Sequence, residues 1–230
     1  MATAEGFTPV ELSRRQLLGT GFAAGMIATT ARSSTLSELV RNAPAQAAAV
    51  PARPRVIVDP SIDPNLLARA RASFDRHRSV LTHTDTVVIA DFSKASREHR
   101  FFILDTHSGQ VTRHLVAHGR GSDPDHSGFV ERFSNAVGSE ASSNGAYVTG
   151  DYYPGKYGRS LRVSGLDPSN SNAYSRAIVV HSAWYAEPGV IAEHGKLGRS
   201  EGCFALPYDS LQEVLQRTGP GRFLYADKLA

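Results

Sequence analysis

The chain has 230 residues, of which 41% are hydrophobic and 20% charged, a composition that predicts one globular core with room for an extension. The formal net charge is only +3 and the basic residues are scattered without a lysine-arginine run. No concentrated positive face is therefore predicted, and nucleic acid is excluded as a partner. Cys203 is the only cysteine, which excludes a disulfide framework.

The N-terminal residues indicate export. Arg14 and Arg15 precede a run of sixteen uncharged residues that ends at Arg32, and paired arginines before a weakly apolar segment are typical of a twin-arginine signal. A small-x-small site at Ala45–Ala47 predicts residues 1–47 as this signal, with a periplasmic mature protein and no stable membrane insertion after cleavage. The alternatives are an uncleaved anchor and an amphipathic helix of a cytosolic protein.

The rest of the chain is predicted as a proline- and alanine-rich linker at residues 48–62 and one domain at residues 63–230. Pro64 and the spacing of the apolar residues predict a first helix, Asp63–His77. Short runs of β-branched and aromatic residues then predict three strands, the last two forming an antiparallel hairpin, at Thr86–Ala90, Arg100–Asp105 and Gln110–Ala117. A polar, glycine-rich loop follows from His118 to about Asn144 and is predicted to line a cleft.

The second half of the domain continues with short strands and one more helix. Strands are predicted at Gly145–Gly150, Leu161–Val163, Ile178–His181 and Phe223–Tyr225, with a surface turn at Tyr152–Tyr157. Asp209 with Gln212 predicts the start of a helix that Gly219 and Pro220 end. Many short strands with few helices predict a mainly β fold, with a β-sandwich or barrel-like core and peripheral helices.

Cys203 and His181 are a candidate nucleophile and base. A thiol attacks carbonyls as the thiolate, and a nearby imidazole is a common means of generating it. His181 stands at the end of a predicted buried strand, and Gly202 immediately precedes the thiol, where a glycine lets backbone N–H groups converge into an oxyanion hole. A lone cysteine is often only a small buried hydrophobe. In an exported chain, however, an unpaired cysteine is exposed to oxidation, which favours the reactive interpretation.

Four runs occur in order along the domain: VAHGRGSDP (116–124), RFSN (132–135), RAIVVH (176–181) and GRSEGCFALP (198–207). Together they resemble the L,D-transpeptidase catalytic-domain family, in particular its exported proteobacterial branch, over about residues 85–225. The resemblance implies a mostly β fold with a thiol nucleophile in an S-x-G-C motif and a strand histidine as base. Carried over to this chain, Cys203 is the nucleophile and His181 the base, with no cofactor and no metal.

The resemblance also implies roles for neighbouring residues. In the turn that contains Glu201, the main-chain N–H groups of Gly202 and Cys203 would be the oxyanion donors. Ser182 would orient the imidazole, although a backbone carbonyl would serve equally. Glu201 stands where the family often has histidine or an aromatic residue, and its carboxylate would either orient a polar substrate group or raise the pKa of the thiol. The expected contacts to stem-peptide groups are Arg199, Ser200, His118, Arg120, Ser134 and Asn135.

The implied reaction is acyl transfer on peptidoglycan stem peptides, which would act as donor and acceptor. The thiolate attacks the donor carbonyl and expels the terminal D-amino acid, and an amine then resolves the acyl-enzyme. A second stem would give a cross-link, water would give L,D-carboxypeptidase activity, and a lipoprotein lysine would give an anchor.

Two other functions compete with this interpretation. His118 and Asp125 have a spacing found in zinc peptidases that cut peptidoglycan, with His194 as a further ligand. Such an enzyme would lose activity with a chelator and resist alkylation. A non-catalytic envelope-binding protein is the third possibility, supported by Glu201, and it would bind stem peptide without forming a Cys203 adduct.

Overall fold

The computed structural model describes residues 59–229, and the predicted export signal and the linker up to residue 58 lie outside this range. The helix α1 covers Pro64–His77, as predicted, and the side chain of Asp63 caps it by accepting a hydrogen bond from the N–H of Asn65 at 2.7 Å. Two residues of the predicted linker contact the domain: Ile62 is buried against α1 and the sheet, and Asp59 forms a salt bridge with Arg113 at 2.7 Å.

The other predicted elements occur in the predicted order with some changes of length, and one short strand and one short α-helix are additional. The strands are β1 (Thr86–Asp91), β2 (Phe101–Asp105), β3 (Val111–His114), β4 (Gly145–Gly155), β5 (Gly158–Gly165), β6 (Val179–Ser182), β7 (Phe204–Leu206) and β8 (Phe223–Asp227). The further helices are α2 (Pro188–His194) and α3 (Tyr208–Thr218), with 3₁₀ turns at Arg78–Val80, Arg120–Ser122 and Trp184–Ala186. No helix within residues 59–229 has the length and apolar composition needed to cross a membrane.

All eight strands form one mixed sheet in the order β3-β2-β1-β8-β4-β5-β6-β7. Two neighbouring pairs, β1 with β8 and β6 with β7, are parallel, and the other pairs are antiparallel. The chain after β3 then crosses to the far end of this order, where Ala117 pairs with Ala205 of β7 and Gly119 pairs with Ser200. These bridges join the two ends of the sheet, so the mainly β, barrel-like fold is confirmed.

Alternation along the strands divides the core between the two faces of the sheet. On β1, Val88 and Ala90 point to the larger cluster, which α3 completes with Leu211, while Ile89 packs with Phe74 of α1 on the other face. A third, smaller cluster lies beside α2 and includes Ala117, Ala183, Leu197 and Ala205. Helix α3 thus packs on the apolar residues of one face of the sheet, and helix α1 packs on those of the other face.

Three local predictions differ from the structure. The predicted surface turn Tyr152–Tyr157 is mostly strand, because a register shift between Thr149 and Tyr152 lets β4 resume pairing with β5 up to Gly155. The predicted strand Gln110–Ala117 ends at His114, where the chain leaves β2 to reach β7. The helix α3 begins at Tyr208, with Asp209 in its first turn instead of at its cap.

The short helix α2 was not predicted. Pro188 opens it, and Gly195 closes it with a φ of 72°. A proline at the start and a glycine in the left-handed conformation at the end are the usual boundary residues of a helix, so the sequence did contain its signal.

Candidate active site

The parallel pairing of β6 with β7 places the predicted base on one strand and the predicted nucleophile immediately before its neighbour. His181 is opposite Ala205 in the register, and Cys203 comes two residues before Ala205, immediately before β7. Because side chains alternate along a strand, Ala205 and His181 share the face opposite to that of Phe204, which packs in the larger core cluster.

Cys203 is a free, half-buried thiol. Its Sγ donates to the backbone carbonyl of Ala177 at 3.6 Å. The pKa of Cys203 is raised to about 11, mainly by burial and to a smaller degree by the carboxylate of Glu201, while a backbone hydrogen bond with Val179 and the charge of Arg176 oppose this rise. The resting group is therefore a thiol that needs a base before it can attack.

His181 is oriented by the backbone. Its Nδ1 lies 2.9 Å from the carbonyl oxygen of Ser182, so Nδ1 carries the proton and Nε2 keeps its lone pair as the acceptor. Burial lowers the pKa of His181, and the hydrogen bond to Ser182 opposes this shift. The imidazole is 5% exposed and, being neutral, is ready to accept a proton.

The hydroxyl of Ser182 has a different partner from the one expected of a third triad member. It donates to the carbonyl of Tyr157 at 3.2 Å, while only the carbonyl of Ser182 contacts the imidazole. Tyr157 in turn stacks on His181, with ring centroids 5.2 Å apart and planes 15° from parallel. Ser182 thus contacts the imidazole through its own carbonyl, and its hydroxyl binds the backbone of the residue whose ring stacks on the imidazole.

The turn at residues 200–203, which we call the nucleophile turn, is closed by the side chain of Ser200. Its hydroxyl donates to the carbonyl of Cys203 at 2.7 Å and accepts the N–H of Gly202 at 3.2 Å. Ser200 is 3% exposed, so it shapes the turn and offers little surface to a stem peptide. Since the N–H of Gly202 is already engaged, the N–H of Cys203 is the better candidate of the two predicted oxyanion donors.

Gly202 is required at its position. Its φ is +110°, and a Cβ added there would lie 2.7 Å from the carbonyl oxygen of Ala141. Two non-glycine residues nearby also have positive φ, Glu140 at 53° and Ala177 at 54°. Backbone strain of this kind is held in place by surrounding contacts and concentrates at functional sites.

The side chain of His118 is not placed to contact a substrate. It is 1% exposed, with Nδ1 2.7 Å from Arg100 Nη2 and Nε2 3.2 Å from Asp123 Oδ2. Burial lowers the pKa of His118 to about 3, and the charge of Arg100 acts in the same direction. The imidazole is therefore neutral, accepting from Arg100 and donating to Asp123.

This buried network supports the nucleophile turn through the backbone. The carbonyl of His118 accepts the N–H of Ser200 at 2.8 Å, and the N–H of Arg120 donates to the carbonyl of Ser200 at 2.8 Å. The buried side chain of His118 consequently holds the segment at residues 118–120 in place, and this segment positions Ser200 through two backbone hydrogen bonds.

The two arginines predicted to bind stem carboxylates have partners within the chain. Arg199 donates to the carbonyls of Asp123 and Pro124. Arg120 makes a two-pronged pair with Glu140 and lies 3.5 Å from Glu201. Arg120 and Glu201 are exposed, so both remain accessible from solvent.

Ser134 and Asn135 belong to the loop that borders the site. The carbonyl of Ser134 accepts from Ser143 Oγ, and the amide of Asn135 donates to Pro168 and Ser171 at 2.9 and 3.0 Å. Their side-chain and backbone contacts tie the loop to neighbouring turns, and the predicted contact with substrate stays a prediction for both.

Sequence reasoning missed two residues of the site, Tyr157 and Arg176. The guanidinium of Arg176 donates to the carbonyls of Ser134 and Ala141, beside the nucleophile turn. Its position at the start of the RAIVVH run was a usable signal, whereas Tyr157 lay in a stretch interpreted as a surface turn. Next to the base, Trp184 is 64% exposed and packs edge-on against Tyr185.

The zinc alternative lacks a ligand cluster. Within residues 59–229, no group of three or more histidine, cysteine, aspartate or glutamate side chains is arranged to hold a metal ion. His118 is enclosed by Arg100 and Asp123, whereas His194 is exposed at the end of α2 next to Glu193. His118, Asp125 and His194 therefore do not form the site that their spacing suggested.

Comparison with known proteins gives one strong match. A family model described as L,D-transpeptidase catalytic domain matches residues 58–226. No curated protein sequence matches the chain.

Solved structures with similarity to the chain are distant. They include an L,D-transpeptidase from Mycobacterium smegmatis (14% identity, covering 62% of this chain and 58% of that chain, TM-score 0.39). L,D-transpeptidase 3 from Mycobacterium tuberculosis in complex with a faropenem-derived adduct gives 15% identity, 62% and 60% coverage and a TM-score of 0.40. The helical cell shape determining protein Pgp2 from Campylobacter jejuni gives 12% identity, 65% and 50% coverage and a TM-score of 0.42. The chain spans only 50% to 60% of the length of these three proteins. The assignment of the chain to a family therefore rests on the match to the family model over residues 58–226.

Proposed function

Because the chain belongs to the L,D-transpeptidase catalytic-domain family, we propose that it is a cysteine-dependent peptidoglycan L,D-transpeptidase. Cys203 is the nucleophile, His181 the base, and stem peptides are the donor and acceptor. The observation that carries the proposal is the anchoring of His181 Nδ1 by the carbonyl of Ser182, which leaves Nε2 as a proton acceptor on the strand adjacent to the thiol.

In the first half-reaction, His181 Nε2 takes the proton of Cys203, and the thiolate forms a bond to the donor carbonyl carbon. The carbonyl oxygen becomes an oxyanion, with the N–H of Cys203 as the proposed donor to it. When the tetrahedral intermediate collapses, the carbon–nitrogen bond to the terminal D-amino acid breaks. The leaving amine takes its proton from His181, and the acyl-enzyme remains.

In the second half-reaction, an incoming amine loses its proton to His181 and attacks the thioester carbon. The carbon–sulfur bond then breaks and the thiolate recovers the proton. With water in place of the amine, the same steps give L,D-carboxypeptidase activity. We further propose that these reactions take place in the periplasm after twin-arginine export, on the basis of Arg14 and Arg15.

Acylation is tested by intact-mass spectrometry after incubation with a disaccharide-tetrapeptide or a carbapenem. The wild type should gain the mass of one acyl group, and Cys203→Ala should gain none because the only thiol is lost. His181→Gln should slow acylation by roughly 10²- to 10⁴-fold, the usual contribution of a general base.

His194→Gln is the matched control, since it removes an exposed histidine at the end of α2 and should leave acylation unchanged. An acyl adduct on Cys203→Ala, or wild-type turnover that a chelator abolishes, would contradict the thiol mechanism. Wild-type protein that binds the stem peptide without ever becoming acylated would instead identify a non-catalytic envelope-binding protein.

A further inference from the structure

A guanidinium lies against the nucleophile turn. A Cβ placed on Gly202 would be 3.1 Å from Arg176 Nη2, and the next residue, Ala177, accepts the hydrogen bond from Cys203 Sγ. Arg176 and Ala177 therefore flank the dipeptide Gly202–Cys203 from one side. The atom of Arg176 that lies nearest to this Cβ position is Nη2, so it is the charged group of the side chain that approaches the turn.

The guanidinium is held by neutral groups only. Its Nη1 donates to the carbonyl of Ser134 at 2.8 Å and to Ser143 Oγ at 2.7 Å, and its Nη2 donates to the carbonyl of Ala141 at 2.6 Å. Across residues 59–229, no carboxylate forms a hydrogen bond or salt bridge with Arg176. Its positive charge is thus fixed in position and not neutralised by an acid.

The other two arginines around the site differ from each other. Arg120 is paired with Glu140 and lies close to Glu201. Arg199, like Arg176, donates to backbone carbonyls, but these are the carbonyls of Asp123 and Pro124 and not those of the loop that packs against Gly202. Arg176 is half-buried, where an unpaired charge acts on its neighbours more strongly than in water. Burial lowers the pKa of Arg176, whereas the proximity of Tyr147 and Cys203 raises it.

We propose that Arg176 is the electrostatic partner of Cys203, supplying the fixed positive charge that stabilises the thiolate after His181 removes its proton. This inference deepens the proposed function and rests on Cys203 being the nucleophile. The loop carbonyls of Ser134 and Ala141 hold the guanidinium in place before the thiol ionises, so no reorganisation is needed when the negative charge appears.

The test measures the rate at which iodoacetamide alkylates Cys203, followed by intact mass between about pH 7.5 and 9.5, where the rate tracks the small thiolate fraction. Removing a charge next to the thiol should lower that fraction at every pH. We expect Arg176→Met to be alkylated about tenfold more slowly, with an unchanged slope of log rate against pH. Arg176→Lys should retain most of the wild-type rate.

Two further variants separate charge from structure. Arg176→Gln retains donors for the loop carbonyls but has no charge, and should be slowed like Arg176→Met. Ser143→Ala removes one hydrogen bond to Arg176 without removing its charge, and should be alkylated at the wild-type rate. If Arg176→Gln keeps the wild-type rate, or if Ser143→Ala is slowed as much as Arg176→Met, the inference is wrong.

This experiment is independent of substrate. A wild type that is alkylated in the expected Arg176-dependent manner but is never acylated by stem peptide or carbapenem would retain the electrostatic pair and overturn the proposed function. Normal acylation of the wild type, together with alkylation rates that do not respond to Arg176→Gln, would retain the function and overturn the pair.

Discussion

Glu201 stands one residue before Gly202, and its carboxylate is the nearest negative charge to the thiol along the chain. The structure gives it a counter-charge, since Arg120 lies 3.5 Å away. The pKa of Cys203 is raised by burial first and by Glu201 to a smaller degree. Glu201 therefore modulates a thiol whose pKa is set mainly by burial, and its charge opposes that of Arg176.

We expect Glu201→Gln to increase the alkylation rate of Cys203 by roughly two- to threefold at a fixed pH, because removing a like charge makes the thiolate easier to form. The small size follows from the exposure of Glu201, which lets water screen its charge. The change is measured by alkylation with iodoacetamide at about pH 8.5, quenched at a series of times and followed by intact mass.

Glu193→Gln is the control for this substitution, because Glu193 is exposed on α2 and its salt bridge among residues 59–229 is with His194, at 3.6 Å. Its alkylation rate should equal that of the wild type. A Glu201→Gln variant that reacts more slowly than the wild type would show that Glu201 assists the thiol instead of opposing it.

At the scale of elements, the turn before β7 is a small unit with little freedom. Ser200 closes it from within, and the segment from His118 to Arg120 binds it from outside through backbone hydrogen bonds. The loop around Ala141 packs against Gly202. Three separate stretches of chain thus determine where Cys203 stands relative to β6.

Gly202→Ala tests this arrangement. The new Cβ would meet the carbonyl of Ala141 at 2.7 Å while the backbone keeps a φ of +110°, so the turn must move. We expect acylation by a carbapenem to slow by at least about 100-fold, and the free energy of unfolding, measured by urea titration, to fall by roughly 1–3 kcal/mol.

Gly138→Ala is the matched variant, because Gly138 also has a positive φ, +77°, but has nothing within 4 Å of an added Cβ. Its stability should fall by about 1 kcal/mol, with acylation unchanged. Equal losses of acylation in both variants would mean that loop strain, and not the contact with Ala141, controls the nucleophile.

The sequence was sufficient to predict the elements that carry local patterns. Helix α1, with its proline and its apolar spacing, was predicted to within one residue, and the pair Cys203 and His181 stood out because each sits beside a recognisable strand or turn. The partners of these residues were harder to predict. Ser200 and His118 are typical substrate-binding types, and nothing local indicates that their side chains turn inward to hydrogen bonds with Cys203 and Arg100.

Residues that join the site from distant parts of the chain left little local trace. Tyr157 reaches His181 because a bulge extends β4 and sets the position of the β4–β5 turn, and short-range sequence patterns do not specify such a register shift. Arg176 contacts Gly202 only because the loop around Ala141 folds between them. Contacts of this kind depend on tertiary structure and not on propensity.

At the scale of the whole molecule, the sheet brings together strands from both ends of the domain. The strand β8, near the C-terminus, lies between β1 and β4 and pairs in parallel with β1. Local sequence cannot specify this order, since parallel neighbours are separated by a long crossover. The mainly β class was nevertheless predictable from the number and length of the apolar runs.

Three buried histidines make stability depend on pH. Burial lowers the pKa values of His114, His118 and His181, that of His118 to about 3. The unfolded chain binds a proton near the ordinary histidine pKa of about 6.5, whereas folded His118 does not. The unfolded state therefore holds more protons below about pH 6.5, and stability must fall as the pH drops from there.

We expect the urea-unfolding free energy of the wild type to decrease from about pH 6.5 to 4.5, with each histidine contributing at most about 1.4 kcal/mol per pH unit. His118→Gln preserves an acceptor for Arg100 and a donor for Asp123 but cannot titrate. Its slope should be smaller by up to that amount, even if its stability at neutral pH is lower. If the unfolding free energy has the same dependence on pH in both proteins, the pKa of His118 is not lowered by folding.

The closure of the sheet at Ala117 and Ala205 restricts how a peptide can approach the nucleophile. Many peptide-binding proteins add an extended ligand to an open sheet edge through main-chain hydrogen bonds. Here β7 pairs with β6 on one side, and on the other the N–H of Ala117 donates to the carbonyl of Ala205 at 2.8 Å, while Ser200 exchanges backbone bonds with His118 and Arg120. Within residues 59–229, a peptide that reaches Cys203 therefore meets no unpaired strand beside β7 to extend. Under the proposed function, recognition of a stem peptide would come from side chains and loop groups instead of strand pairing.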